Sequence, residues 1–377
     1  MPRSFGCCGH VMTGDAVAMR ATDDGRVVLK GITTCGLAWE CPVCQMTIKA
    51  RRAEQIAQLV EWHGRPGAFL LTLTFRHGLG NDLRTARKGL ANAWRGMARG
   101  KPWAKFKAAL GVRGTVRAME VTHGPNGWHP HLHVLILCRP GWEAATMPDG
   151  QPAEEWIKER WADMVIRYLG AEHEPDPRYG TERTPCSDGQ YLAKLGLEVC
   201  DPGKKEGRDD AHRNPLEIAR DLVDHGHRSD RALWRVYCQA MHGARQLTWS
   251  KGLRELAGIP DRSDAELAQD EEAGEQTAHV LTVAGDDWRK IARKRIRVER
   301  PDGTKELVPA PVLLIERAEQ KGARAAWRML RSLVRAPDAA RTQTNNEKGC
   351  ENACSDENGG ASALRQLRND HQSHGGR

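Results

Sequence analysis

The chain has 377 residues, and its 57 Lys and Arg exceed its 49 Asp and Glu by eight, a balance that favours an anionic partner. Its longest runs rich in apolar residues, such as 132–138, are far shorter than the ~20 residues of a membrane-spanning helix, so we expect no membrane partner. The first residues carry no apolar signal segment, and a cytoplasmic location is therefore expected. In such a reducing compartment, clustered cysteines are more often metal ligands than disulfides.

A group of cysteines lies before residue 50, in a stretch with little periodic apolar signal. Cys41-Pro-Val-Cys44 places two thiolates within reach of one tetrahedral zinc ion, and Cys35 is near enough to be the third ligand. The donors available for the fourth position are Cys7, Cys8 and His10; Cys8 is preferred because Cys8-Gly9 resembles half of a second knuckle. A redox Cys-x-x-Cys motif is the alternative, but no strand pattern precedes Cys41. The sequence therefore predicts structural zinc on Cys8, Cys35, Cys41 and Cys44.

Helical and extended patterns follow this segment. A helix is predicted from Thr47 to about Gly64, a buried strand over 69–75 and an amphipathic helix over about 81–99. Two strands, 114–122 and 131–138, flank the turn residues 124–127, which is a hairpin signal. Further helices are predicted over about 153–169, 188–196, 215–224 and 229–242, followed by a two-stranded piece within 279–308 and a basic helix over 311–335. The sheet is therefore expected in the middle of the chain, and disorder from about residue 337.

The strand that begins at His131 carries two imidazoles on one face. A period of two places His131 and His133 together, with Leu132 and Val134 on the opposite face. If residues 124–127 form the turn, Glu120 lies opposite His131 and completes a His/His/carboxylate site. Such a site, with an oxygen ligand and open positions, suits Mg²⁺ or Mn²⁺ bridging a phosphate. His129 is expected to support the site from a second layer or to contact phosphate.

A phenol is the predicted nucleophile. Of the four tyrosines, Tyr237 and Tyr168 belong to amphipathic helices and Tyr179 to a loop. Tyr191 lies in the first turns of a predicted short helix with Lys194 at i+3, where the ammonium can hold a phosphate and favour the phenolate. An ordinary exposed helix face is the alternative interpretation of this pair.

These motifs together resemble one family. The cysteine cluster, the strand Leu70-Leu-Thr-Leu-Thr74, the segment Gly127-Trp-His-Pro-His-Leu-His133 and Tyr191-Leu-Ala-Lys194 are similar to those of rolling-circle replication initiators of actinobacterial plasmids, members of the HUH (His-hydrophobe-His) endonuclease superfamily. The resemblance covers about residues 8–200. It implies an α+β fold, with a five-stranded antiparallel sheet that carries the HUH strand at its centre and is flanked by helices. An N-terminal zinc-binding segment and a helical C-terminal region complete the expected fold.

The sequence patterns and the resemblance together predict a domain organisation. The expected parts are a zinc-binding segment with the first helix (1–60), an HUH endonuclease domain (61–200), a helical extension (201–260), an accessory region (261–336) and a disordered tail (337–377).

The implied activity is a metal-dependent nick of single-stranded DNA at a plasmid double-strand origin. His131 and His133 match the metal pair, and Tyr191 matches the first tyrosine of the Tyr-x-x-Lys-Tyr helix of phage-type initiators. The second tyrosine position is Leu195, so the chain departs from the two-tyrosine pattern. Attack by Tyr191 gives a 5′-phosphotyrosine and a 3′-OH primer. Termination then needs Tyr191 of another subunit, as in a homodimer, or an activated water. A host helicase and a polymerase are the further expected partners.

Basic side chains should line the approach of a single strand. The expected phosphate contacts are Arg51, Arg52, Arg76, Arg84, Arg87 and Lys88. Two other functions compete with nicking. A histidine-triad nucleotide hydrolase would use the pattern His129-Pro-His131-Leu-His133 but leaves Tyr191 without a role. A zinc-containing, non-enzymatic DNA-binding regulator would explain the charge and the cysteines but leaves the histidine strand without a role.

Overall fold

The computed structural model describes residues 8, 14–22, 25–186, 212–269, 278–299 and 305–337. The strands in this part of the chain are β1 Ala16–Ala21, β2 Val27–Lys30, β3 Ala68–Leu73, β4 Gly114–Gly124, β5 Gly127–Leu137, β6 Thr181–Pro185, β7 Leu247–Trp249, β8 Ala278–Ala284, β9 Arg295–Glu299 and β10 Lys305–Pro309. The helices are α1 Pro42–His63, α2 Leu83–Met97, α3 Gly100–Leu110, α4 Ala153–Leu169, α5 Pro215–His225, α6 Arg228–Met241, α7 Leu253–Ala257, α8 Asp264–Gln269, α9 Gly285–Ile291 and α10 Ala310–Arg335.

The chain divides into two compact units. The larger unit comprises the described residues of 1–17 and 29–277, and the smaller unit those of 18–28 and 278–377. No helix within the described ranges combines the length and the apolar character needed to cross a bilayer. The predicted five-part domain organisation stays a prediction.

A five-stranded antiparallel sheet forms the centre of the larger unit. Its strand order is β6-β3-β5-β4-β7, so β5, which carries the histidines, is the middle strand. Helices cover both faces of this sheet. This arrangement confirms the expected α+β fold with the HUH strand at its centre.

Alternation along β5 decides which residues face which helices. Leu132, Val134 and Ile136 pack with residues of α2, α3, α4 and α6 in the larger core. Leu135 and Leu137 pack on the other face, against α1 and α7. Because His131 and His133 have the parity of Leu135 and Leu137, they lie on the face that α1 covers.

The β4–β5 hairpin has the predicted register. Gly124 pairs with Gly127 around a turn of two residues, and Glu120 pairs with His131. Gly127 adopts φ +83°, and a Cβ there would lie 3.2 Å from the Cα of Leu79. Both facts favour glycine, because other residues rarely adopt a positive φ and a side chain would crowd the backbone of Leu79. The turn therefore fixes which side chains meet across the hairpin.

Two local predictions about the first hundred residues need correction. The first helix begins at Pro42 rather than Thr47, because proline is favoured at N1, where its missing N–H costs no hydrogen bond. The helix α3, at 100–110, was not predicted. It begins directly after α2, at Gly100 with φ +74°, and its left-handed C-cap is Gly111. The helices predicted over 153–169, 215–224 and 229–242 are confirmed, and the one predicted over 188–196 lies outside the described residues.

The main sheet lies in the middle of the chain as expected, but the structure has a further, unpredicted sheet outside that region. A three-stranded sheet joins β2, β1 and β8, so residues near the N-terminus pair with a strand that begins at Ala278. The two-stranded piece predicted within 279–308 is confirmed as the antiparallel pair β9–β10, and the structure adds β8 and the helix α9 before it. The basic helix near 311–335 is confirmed as α10, with non-helical backbone at Gly322.

Candidate functional site

Three predicted ligands converge at one end of the central sheet. The Nε2 atoms of His131 and His133 lie 3.0 and 2.9 Å from Oε2 of Glu120. All three ligand atoms lie within 4.8 Å of one another, as ligands of one ion must. His133 is 5% exposed, and the other two side chains are partly buried. The pairing derived from the hairpin turn is therefore present as a compact two-nitrogen, one-oxygen donor group.

Hydrogen bonds at the far side of each ring orient the two imidazoles. Nδ1 of His133 lies 3.1 Å from Oγ1 of Thr72, which is its pairing partner on β3. Nδ1 of His131 lies 3.3 Å from the backbone oxygen of His129. In the tautomer that donates from Nδ1, each ring presents the lone pair of Nε2 to an ion, which is the usual arrangement of metal-bound histidines.

The Glu120 carboxyl is held as an anion. Burial alone would raise its pKa. Attraction to His131, and the hydrogen bonds that both Nε2 atoms donate when they carry protons in place of an ion, outweigh burial and hold the pKa well below the ordinary value. A negative oxygen and two neutral imidazoles form a donor set that fits Mg²⁺ or Mn²⁺. The fit rests on the chemistry of the donor atoms.

Two further histidines, His129 on β5 and His77 after β3, lie next to the site. The ring of His129 stacks on that of His77 at a centroid distance of 4.4 Å. Burial, followed by the nearby charges of His131 and His77, lowers the pKa of His129 to about 3, so the ring is neutral at pH 7. His77 was not singled out in the sequence, since it lies outside any motif and approaches the site only because β3 pairs with β5.

The four predicted zinc ligands also come together. The Sγ atom of Cys44 lies 3.3 Å from that of Cys8 and 3.6 Å from that of Cys35, and Cys41 lies 3.4 Å from Cys8. Tetrahedral zinc with ~2.3 Å bonds needs sulfurs about 3.8 Å apart, close to these separations. Hydrogen bonds from Cys41 and then Cys8 lower the pKa of Cys44 well below that of an ordinary thiol, which favours a thiolate in the cluster. The cluster fits a closed, structural zinc site.

Residues between Cys35 and Cys41 connect this cluster to the α6–β7 region. Nε1 of Trp39 donates to the Ala244 carbonyl (2.7 Å), and Nδ1 of His242 lies 2.6 Å from Oε1 of the buried Glu40. Nε2 of Gln246 donates to the Ala38 carbonyl at 2.7 Å. Gln246 directly precedes β7, so these hydrogen bonds attach the cysteine segment to the edge of the central sheet.

The predicted nucleophile, Tyr191, and its neighbour Lys194 lie outside the described residues. The other tyrosines are placed as expected. Tyr237 is buried and stacks on Trp128, Tyr168 packs against the core, and Tyr179 is 75% exposed in its loop.

The predicted phosphate contacts fall into two groups. Arg76, Arg84 and Lys88 are exposed, although Arg84 donates to the Gln239 carbonyl at 3.1 Å. Arg51 bonds Glu54 on α1, Arg87 is half-buried, and the buried Arg52 is ion-paired with Asp264. That placement favours a structural role for Arg52. Phosphate contact by the exposed side chains stays a prediction.

Thr72 was missed as a functional residue, although it is the polar member of an apolar strand. We expect Thr72→Val to weaken Mn²⁺ binding about 10- to 100-fold, because it removes the hydrogen bond that orients His133 while preserving side-chain volume. Titration with Mn²⁺ measures the effect. Thr74→Val is the matched control, because Thr74 bonds the Tyr179 carbonyl instead. Equal affinities in wild type and Thr72→Val would refute the role.

Comparisons with known proteins identify relatives. The family described as replication protein matches residues 26–176. A Protein rep of Streptomyces lividans is 30% identical over 355 aligned residues, which cover 75% of this chain and 77% of that protein. A neomycin resistance protein of Streptomyces cyanogenus is 33% identical over 148 residues, covering 32% of this chain and 34% of that protein. A Protein rep of Streptococcus pneumoniae serotype 2 is 26% identical over 162 residues, covering 41% and 49%. No solved structure gives a significant match.

The matched regions contain the candidate site. Residues 26–176 include Glu120, His131, His133 and three of the four clustered cysteines, Cys35, Cys41 and Cys44. The similarity to the Streptomyces lividans protein spans about three quarters of both chains, so it is not confined to one motif. The chain therefore belongs to the Rep family of plasmid replication proteins.

Proposed function

We propose that this protein initiates rolling-circle replication by nicking one strand of the plasmid origin and retaining its 5′ end as a phosphotyrosine on Tyr191. The observation that carries the proposal is the group formed by Glu120 on β4 and by His131 and His133 on the middle strand β5, whose ligand atoms lie within 4.8 Å of one another. A replication protein with this donor group has the means to act on a phosphodiester.

The residues of the site have two roles, which are binding the ion and orienting its ligands. His131, His133 and Glu120 would hold Mg²⁺ or Mn²⁺, and the bound ion would supply Lewis-acid polarisation of the scissile phosphate. Thr72 and the His129 carbonyl keep the two imidazoles in the orientation that binding requires. Because these groups belong to three hydrogen-bonded strands, the site is formed before DNA arrives.

In the proposed reaction, the phenolic oxygen of Tyr191 attacks phosphorus. The bond from phosphorus to the 3′ oxygen breaks, that oxygen takes up a proton, and a 5′-phosphotyrosine and a free 3′-OH result. A phenol with an ordinary pKa of about 10 is weakly nucleophilic at pH 7, so Lys194 is assigned the role of favouring the phenolate. The free 3′-OH is the primer for a host polymerase, working with a host helicase in the cytoplasm.

Termination needs a second nucleophile, because Leu195 occupies the second tyrosine position. Tyr191 of a second subunit at the origin would reverse the transfer, and an activated water would release the end by hydrolysis. The zinc site has a structural role in either route, and exposed cations such as Arg76 and Lys88 contact the DNA backbone.

A covalent-adduct assay tests the nucleophile. The protein is incubated with Mn²⁺ and 5′- or 3′-labelled single-stranded oligonucleotides that tile the origin of its replicon. We expect an adduct carrying the 5′ phosphate in wild type and no adduct in Tyr191→Phe, which lacks only the hydroxyl. Tyr179→Phe is the matched control, because that exposed tyrosine contributes only its backbone oxygen to Thr74.

The stability of the adduct separates the rival chemistries. A phosphotyrosine survives acid, whereas a phosphohistidine from a histidine-triad mechanism is destroyed by acid and preserved by alkali. An adduct that persists in Tyr191→Phe would show that another residue is the nucleophile. Specific origin binding without any adduct or nick would instead support a non-enzymatic DNA-binding regulator.

A further inference from the structure

The second half of α10 has cationic side chains on one face. The segment 323–335 contains four arginines and no acidic residue: Arg324, Arg328, Arg331 and Arg335. At 3.6 residues per turn, the spacing i, i+4, i+7, i+11 places all four within an arc of about 60°. All four are exposed, and no ion pair involves them within the described ranges. The row extends over ~16 Å of helix, at 1.5 Å per residue.

The opposite face of this segment is anchored. Ala326, Leu330 and Leu333 are at most 5% exposed, and α10 contacts α9, β8 and β10 of the same unit. Nζ of Lys294 donates to the carbonyls of Leu333 (3.0 Å) and Ala336 (2.7 Å), so it neutralises the C-terminal end of the helix. The arginine row therefore stands on a fixed helix and points away from the core of the smaller unit.

The arrangement favours a phosphate backbone over a lipid surface. A basic amphipathic helix binds membranes by inserting its apolar face, but here that face is packed inside the protein. Trp327 lies beside the arginine row and is 48% exposed. The guanidinium carbon of Arg331 lies 4.9 Å from the centroid of its ring. Single-stranded DNA is typically bound by several stacking aromatics. A straight row of cations with a single neighbouring aromatic, which Arg331 contacts, instead suits the evenly spaced phosphates of a duplex.

We propose that the exposed arginine row of α10 is a second DNA surface, which binds the phosphate backbone of double-stranded DNA. The proposal rests on the proposed function only in taking DNA as the partner. It gives the smaller unit a function that the single-strand site of the larger unit does not perform, which is binding duplex DNA.

The test compares full-length variants of equal net charge. Arg328→Gln/Arg331→Gln/Arg335→Gln removes three cations from the row and keeps residues that favour a helix. The matched control, Arg289→Gln/Lys290→Gln/Lys305→Gln, removes three cations of the same unit that pair with Asp286, Asp287 and Glu299. Fluorescence anisotropy with a labelled origin duplex is measured over a series of salt concentrations. The row variant should bind at least ~10-fold more weakly, with a salt slope smaller by about 2 to 3, since each phosphate contact contributes ~0.9.

Two further measurements separate this proposal from the proposed function and from its rivals. The row variant should form the adduct on a single-stranded origin oligonucleotide at the wild-type rate. Failure of wild type to form that adduct contradicts the nicking proposal but leaves the duplex comparison intact. Unchanged duplex affinity in the row variant, or an equal loss in the control, overturns the duplex surface. A loss seen only on vesicles of anionic lipid would assign the row to membranes and also overturn it.

Discussion

We expect His133→Ala to reduce the rate of origin nicking by about a thousandfold, equivalent to ~4 kcal/mol of activation free energy. The substitution removes one of the three ion ligands and the hydrogen bond that His133 makes to Glu120. It also leaves the Thr72 hydroxyl without its imidazole partner. Because a bound ion supplies several kcal/mol of charge stabilisation in phosphoryl transfer, its loss accounts for an effect of this size.

Three measurements make this prediction specific. Nicking rates are compared with those of His225→Ala, which removes an exposed imidazole at the end of α5. Isothermal titration with Mn²⁺ should show the high-affinity site in the control and a much weaker one in His133→Ala. Circular dichroism and zinc content should be unchanged in both variants. Nicking by His133→Ala at the wild-type rate would contradict the assigned role of the Glu120/His131/His133 group.

The second large effect is expected at the cysteine cluster. We expect Cys44→Ser to lower the thermal unfolding midpoint by about 10 °C, because loss of a structural zinc site costs several kcal/mol and ~1 kcal/mol corresponds to 2–4 °C in a domain of this size. Cys44 lies at the centre of the cluster, within 3.6 Å of the sulfurs of Cys8 and Cys35. The bound metal would also hold the Trp39 and Glu40 contacts to the α6–β7 region.

Metal analysis and calorimetry check this expectation. Wild type should contain one zinc ion per chain, and Cys44→Ser should contain little. Cys138→Ala is the matched control, because Cys138 is equally buried on the sheet but lies outside the cluster, and its zinc content should be normal. Wild-type protein that is fully folded with much less than one zinc would rule out a structural role for the ion.

The candidate site was predictable from sequence where its geometry is local. The His131–Glu120 pairing follows from a short hairpin whose turn is fixed by Gly124 and Gly127, so counting back from the turn gives the register. The contribution of Thr72 was not predictable in this way, because it depends on β3 pairing with β5 some sixty residues further along the chain. No local pattern specifies such a pairing.

The same distinction explains the missed strands. The strands β1 and β2 were not predicted, although Val17 and Met19 are fully buried, because the partner of β1 is β8, which begins at Ala278. A short strand gains most of its stabilisation from such a partner rather than from its own propensity. The edge strand β7 has only three residues, and its place beside β4 is likewise set by tertiary contacts.

The position of β5 in the middle of its sheet has a consequence for ion selection. The backbone at His133 is flanked by β3 on one side and β4 on the other, and the backbone at His131, next to the last β3 pair at Leu132, is paired with β4. Neither histidine can therefore shift far without loosening interstrand bonds. Glu120 lies on β4 beyond the three residues that pair with β7, and its longer side chain has more freedom. The Glu120 carboxylate should therefore adjust its position to cations of different radius. The two imidazole nitrogens, whose spacing is more rigid, should discriminate between such cations.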